Sequence, residues 1–206
     1  MARWIFVCIL LVGSVAAAKE RGTGDYTLSL EPIGLRATQE PWAGLPDTAD
    51  MLFGGRLILT SPSGPFISKV DVVSAFGGGG LWLQSHAHAE FPIQAGPIDL
   101  LPRVSLALDY IAFTASDNSS VTNSNLGLGA GLLARIAAGP AFLEAGAHWD
   151  RMLANEGGNR WRGEARGSWP LFGGFATAGA FYQRYESLRN TSVLGIGVGY
   201  LFKLSA

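Results

Sequence analysis

The segment from Val193 to Phe202 constrains the fold of this chain more than any other. Leu194, Ile196, Val198, Tyr200 and Phe202 alternate there with Gly195, Gly197, Gly199 and Leu201. Successive side chains of a strand point to opposite faces, so one face is large and apolar and the other is small. A soluble sandwich strand turns a polar face to water, and neither face here is polar. The pattern suits a strand with one face against lipid and the other in a crowded barrel interior. Several earlier segments repeat the alternation with charges where this one has glycines.

Ten segments read as strands: 26–37, 51–61, 66–76, 81–91, 103–115, 124–137, 141–152, 160–169, 174–186 and 192–203. Their lengths match tilted membrane strands of about 9–11 residues better than the shorter strands of globular sheets. The expected fold is all-β: an antiparallel up-and-down transmembrane β-barrel of ten strands. An even number puts both chain ends on one side, expected to be the periplasm. Outer connections then fall at 38–50, 77–80, 116–123, 153–159 and 187–191. Inner ones fall at 62–65, 92–102, 138–140 and 170–173. If Gly77 to Gly80 is a kink within one long strand, eight strands are the alternative.

Residues 1–18 read as a secretory signal peptide, leaving 19–206 as a single barrel domain. Arg3 precedes the apolar stretch Trp4 to Val12, and Ala16, Ala17 and Ala18 offer a small-residue cleavage site. Cys8, the only cysteine, lies in that leader, so the mature chain has no disulfide or cysteine metal site. The formal net charge of −1 argues against a nucleic-acid partner. No run of about 18 apolar, uncharged residues follows the leader, so no spanning helix is expected.

The lipid-facing set includes Leu30, Phe53, Leu57, Val70, Val72, Phe76, Leu83, Val104, Leu106, Leu128, Leu132 and Leu143. Aromatic residues near strand ends are expected to form interfacial girdles: Tyr26, Trp82, Phe91, Tyr110, Trp149, Trp161, Trp169, Tyr182, Tyr185, Tyr200 and Phe202. The opposite faces carry Glu31, Arg56, Lys69, Asp71, Asp109, Arg135, Glu144, Asp150, Arg160, Arg162, Glu164 and Arg166, with Gln84 and Arg103. Both signs occur in comparable numbers. Buried charges must be paired, so the lumen is expected to be a polar, ion-paired plug.

Three constellations within that set could carry chemistry. His86, His88 and Glu90 share one strand face, and imidazoles at i and i+2 can chelate one divalent metal. The competing reading is ordinary membership of the polar plug, and no cofactor is expected. Glu144, His148 and Asp150 also share a face, and a carboxylate beside a histidine suits acid–base catalysis. Outer-membrane lipid A deacylases place a serine two residues after the histidine, where this chain has Asp150. Arg160, Arg162 and Arg166 with Glu164 could sort anions or bind lipopolysaccharide phosphates. Pairing with Glu144 and Asp150 on the neighbouring strand is the favoured reading.

The chain resembles the small bacterial outer-membrane β-barrel proteins, the OmpA-like, OmpX-like and OmpW-like group. Gly197, Tyr200 and Phe202 look like the terminal barrel-assembly signal, a glycine followed three and five residues later by aromatic residues. Two departures are Gly195, where a polar residue is usual, and the extension Lys203 to Ala206 beyond the terminal aromatic. The resemblance implies a place in the bacterial outer membrane, insertion by the barrel-assembly machinery, and contact with outer-membrane lipid and lipopolysaccharide. The expected function is a non-enzymatic barrel with an envelope-structural or surface-interaction role. The alternatives are a narrow pore for small solutes, a lumen or rim hydrolase acting on lipid or peptide, and a soluble secreted barrel binding an apolar ligand.

Overall fold

The computed structural model describes residues 26–39, 48–63, 65–114, 120–154, 157–186 and 190–204. The leader expected over 1–18 lies outside the described residues, as do parts of four of the expected outer connections. The strands are β1 (Tyr26–Gln39), β2 (Thr48–Ser63), β3 (Phe66–Gly77), β4 (Gly80–Glu90), β5 (Ile93–Ala95) and β6 (Ile98–Thr114). They continue with β7 (Ser120–Ala138), β8 (Ala141–Met152), β9 (Gly158–Leu171), β10 (Gly174–Glu186) and β11 (Thr191–Leu204).

Every pairing is antiparallel. β1 lies between β2 and β11, and β4 skips β5 to pair with β6 from Gly80 opposite Phe113 to Glu90 opposite Arg103. The ten long strands thereby close into a barrel, and β5 is a short tab on β6. The first and last described residues, Tyr26 and Leu204, are register partners, so the described stretch begins and ends at one end of the barrel.

Turn chemistry decides the strand count. Gly78 and Gly79 sit at φ 55° and 83° in a two-residue connection between β3 and β4. Positive φ at both central positions matches the twist of a tight hairpin, so the chain reverses there and eight strands are not formed. The connection expected at 92–102 is corrected. β5 and the start of β6 form a hairpin about Gly96 and Pro97, with Ile93 opposite Leu100 and Ala95 opposite Ile98. Pro97, which has no N–H to donate, sits in the turn, where no ladder bond is lost.

The outward face is apolar. Phe53, Phe76, Leu128, Leu143, Trp161, Leu194, Ile196 and Val198 are among its exposed side chains, Ile196 at 63%. Val70 shares that face but is only 7% exposed. Two aromatic residues expected in the girdle belong inside. Trp82 and Tyr185 are buried and meet edge-to-face at 5.8 Å, because each shares strand parity with lumenal residues, Gln84 and Gln183.

The lumen is not polar throughout, which corrects the expected polar plug. Toward the end opposite the termini it is filled by Ile33, Leu35, Leu52, Val73, Trp82, Ile111, Phe181, Val193 and their neighbours. The glycine face of β11 exists because other side chains occupy that space. A Cβ on Gly195 would lie 2.4 Å from the Phe181 ring and 2.8 Å from Leu35. Gly54 is tighter still, since its Cβ would fall 1.9 Å from the Ser74 carbonyl oxygen and 2.6 Å from Ala75 Cα. Backbone cannot yield as a side chain can. Gly54→Val is therefore expected to lower stability by about 1–3 kcal/mol. A drop in the temperature at which the folded band disappears on unboiled gels would show it.

Candidate functional site: the lumenal network and vestibule

Below the apolar plug, alternating residues of eight strands bring fourteen charges of the described residues into the lumen. Seven are acidic (Glu31, Asp71, Glu90, Asp109, Glu144, Asp150, Glu164) and seven are basic (Arg56, Lys69, Arg103, Arg135, Arg160, Arg162, Arg166). The formal charges balance, which a low-dielectric interior requires.

Arg160 is the hub. Its guanidinium donates to Asp150 at 2.9 and 2.6 Å and to Asp109 at 2.5 Å, and it touches His86 Nε2. Asp109 also accepts from the Tyr185 hydroxyl at 2.6 Å and from Gln84 at 3.1 Å. Arg56 grips Asp71 with two bonds of 2.8 and 2.6 Å. Arg162 reaches the same carboxylate at 3.3 Å and lies over the Phe181 ring. Glu164 takes Arg103 at 2.6 Å.

The expected ladder pairing holds for Arg160 with Asp150, which are register partners. It does not hold for Arg166. Although Arg166 is the register partner of Glu144, it donates across the lumen to Glu31 and Ser29. Glu144 is taken instead by Arg135 at 2.8 and 2.6 Å. A short lumen lets a long side chain choose a partner on a distant strand, which strand-neighbour reasoning misses.

The contacts of His86, His88 and Glu90 are those of the polar network. His86 presents Nε2 to Arg160 and Nδ1 to Arg162 at 3.3 Å. Glu90 faces Lys69 and Arg103 at 3.7 and 3.9 Å. Cations therefore stand against two of the three candidate ligands, His86 and Glu90. Among the described residues, no group of three or more such ligands is arranged to hold one. The three imidazoles of His86, His88 and His148 do cluster, with ring centroids 5.4 to 6.4 Å apart.

The structure also adds a serine that sequence reasoning missed. Ser105 Oγ lies 2.7 Å from His148 Nε2 and 2.9 Å from Asp150 Oδ1, and that oxygen lies 2.8 Å from the same Nε2. The residue types are those of a hydrolase triad, but the arrangement is not. A relay needs the serine on one imidazole nitrogen and the carboxylate on the other. Here both crowd Nε2, while Nδ1 is buried without a partner. All three residues are buried, and Asp150 is held by Arg160. Glu144 stands apart with Arg135. The parity of Arg103 and Asp109 on β6 was the available signal that Ser105 faces inward.

A vestibule of about 510 Å³ opens at the end that carries Tyr26 and Leu204. Toward the middle of the barrel it gives way to a space of about 10 Å³ among Arg56, Lys69, Glu144, Glu164 and Arg166. That is about the size of one water molecule. Of the assembly-signal residues, Gly197 faces the lumen beside Ile33, and Tyr200 packs on Phe202 at 4.7 Å. The Tyr200 hydroxyl donates to the Leu171 and Phe172 carbonyls at 2.5 and 3.1 Å, pinning the β9–β10 turn to β11.

No family of known sequences matches the chain, and no curated protein does. Solved structures match. The outer membrane protease OmpT from Escherichia coli is 6% identical with a TM-score of 0.51, covering 87% of this chain and 96% of that one. Neisserial surface protein A is 12% identical with a TM-score of 0.46, covering 86% of this chain and 97% of that one. At these identities the likeness is one of fold, and it rests on the first of the two. The architecture of this chain, a closed ten-stranded antiparallel barrel with an apolar exterior, is that of the outer-membrane β-barrels.

Proposed function

We propose that this protein is a sealed outer-membrane barrel with an envelope-structural or surface-interaction role, neither a channel nor a hydrolase. One observation carries the reading: two consecutive layers fill the lumen. Leu35, Leu52, Trp82 and Val193 are fully buried in the apolar layer, and Arg160 is fully buried in the charged layer beneath. A pore needs a hydrated path, and desolvated side chains in both layers oppose one. The crowding of Ser105 and Asp150 on one nitrogen of His148 weighs against hydrolysis. The exposed apolar exterior weighs against a soluble binder, which would place that surface inside.

In this reading the chain is exported, delivered to the barrel-assembly machinery through Gly197, Tyr200 and Phe202, and embedded among outer-membrane lipid and lipopolysaccharide. The termini end then faces the periplasm. The test is planar-bilayer conductance of the purified barrel, with insertion verified by its heat-dependent gel mobility. Wild-type protein is expected to insert without discrete conductance steps. Reproducible unitary steps would overturn the sealed-barrel reading in favour of the narrow pore.

A further inference from the structure

We infer that the vestibule is a binding site for a single-chain anionic amphiphile, with its carboxylate or phosphate head on Lys69 and its apolar chain along Phe142 and Phe175. The site rests on the reading above only for the side of the membrane that it faces.

The head position follows from Lys69. Its side chain is only 9% exposed, yet its ammonium has no hydrogen-bond acceptor among the described residues. The nearest carboxylate oxygen, Glu90 Oε1, is 3.7 Å away and has no hydrogen-bond partner itself. A buried ammonium with unused donors is costly, and an anion arriving from the vestibule would satisfy it. The other lining cations are already engaged: Arg135 on Glu144 and Arg166 on Glu31. With Lys203 at the mouth, the lining carries four basic groups (Lys69, Arg135, Arg166, Lys203) against two acidic ones (Glu90, Glu144), a balance that attracts anions.

The chain position follows from the wall. Phe142 and Phe175 meet edge-to-face at 5.4 Å. Arg135 lies over the first ring at 5.5 Å and Lys203 over the second at 5.4 Å. With Pro62, Ile67 and Leu201 they leave an apolar throat above a floor where Lys69, Arg135 and Arg166 outnumber Glu90 and Glu144. A volume of about 510 Å³ is within the range of about 300–1,000 Å³ typical of small-molecule sites.

The experiment is calorimetric titration of the folded barrel in nanodiscs with octyl phosphate, octanoate, inorganic phosphate and octanol, using empty nanodiscs as reference. Saturable binding of octyl phosphate or octanoate at one per barrel is expected, and their ranking tells whether the head is a phosphate or a carboxylate. Inorganic phosphate and octanol are each expected to bind at least tenfold more weakly. Lys69→Met is expected to lose tenfold or more in affinity. Should that variant not fold, Phe142→Ala at the half-exposed mouth is expected to weaken binding by a comparable factor. Uptake no greater than by empty nanodiscs would overturn the assignment. So would equal affinity for octanol or inorganic phosphate, or unchanged affinity in the folded variants. Conductance and titration fail independently, so an open pore would not be mistaken for an empty vestibule.

Discussion

Replacing Arg160 with methionine is expected to destabilise the barrel by about 3–5 kcal/mol, the cost of stranding buried charges. Its guanidinium holds two carboxylates at once, Asp150 through two donors and Asp109 through a third, and both are buried with it. Removing it leaves Asp150 with Ser105 and His148, and Asp109 with Tyr185 and Gln84. A hydroxyl, an amide and a ring nitrogen that already faces Ser105 cannot offset two charges. Arg160→Lys should recover only part of the loss, since an ammonium cannot span both carboxylates in a fixed fork. Adding Asp150→Asn to Arg160→Met should recover a further part, a non-additivity that marks direct coupling. Denaturant unfolding of the vesicle-inserted barrel, followed by tryptophan fluorescence, measures all three. A loss below about 1 kcal/mol for Arg160→Met, in the range of a surface pair, would show that water reaches the network.

The second large effect is expected at Trp82. Its ring is fully buried in the apolar layer against Tyr185, and its indole N–H has no hydrogen-bond partner among the described residues. It acts as an apolar filler of the barrel section. Trp82→Ala is expected to cost about 3–5 kcal/mol by transfer and cavity terms together. Trp82→Phe should cost less, because most of the ring volume remains. The same pair tests the second layer: vesicles carrying Trp82→Ala should stay as tight to small solutes as wild type, because the charged layer about Arg160 still fills the lumen. Leakage through a folded Trp82→Ala barrel would mean that the apolar layer alone makes the seal.

Strand parity was the most legible feature of the chain. On β9, Arg160, Arg162, Glu164 and Arg166 alternate with Trp161, Gly163, Ala165 and Gly167, and the structure places those charges in the lumen. Each of the expected lumenal charges lies inside, because one-residue alternation is a local property of the backbone. Trp82 and Tyr185 were misassigned when aromatic character was weighed above that same parity. The 92–102 segment was misread because Gly96 and Pro97 look like part of a long loop, whereas the pairing of Ile93 with Leu100 is a cross-strand property.

The amino-acid sequence by itself determined the barrel and the alternation that sends charges inward, since alternation acts within a few positions; the choice between ten strands and eight was closed by the backbone at Gly78 and Gly79. Only the tertiary structure decided the partners. Arg166 reaches Glu31 from far along the chain, Ser105 meets His148 from another strand, and the half of the lumen away from Tyr26 and Leu204 closes on Trp82. The physical reason is barrel closure. It brings residues from non-adjacent strands within side-chain reach across a narrow lumen. There, charge pairing and packing select contacts that spacing along one strand does not encode.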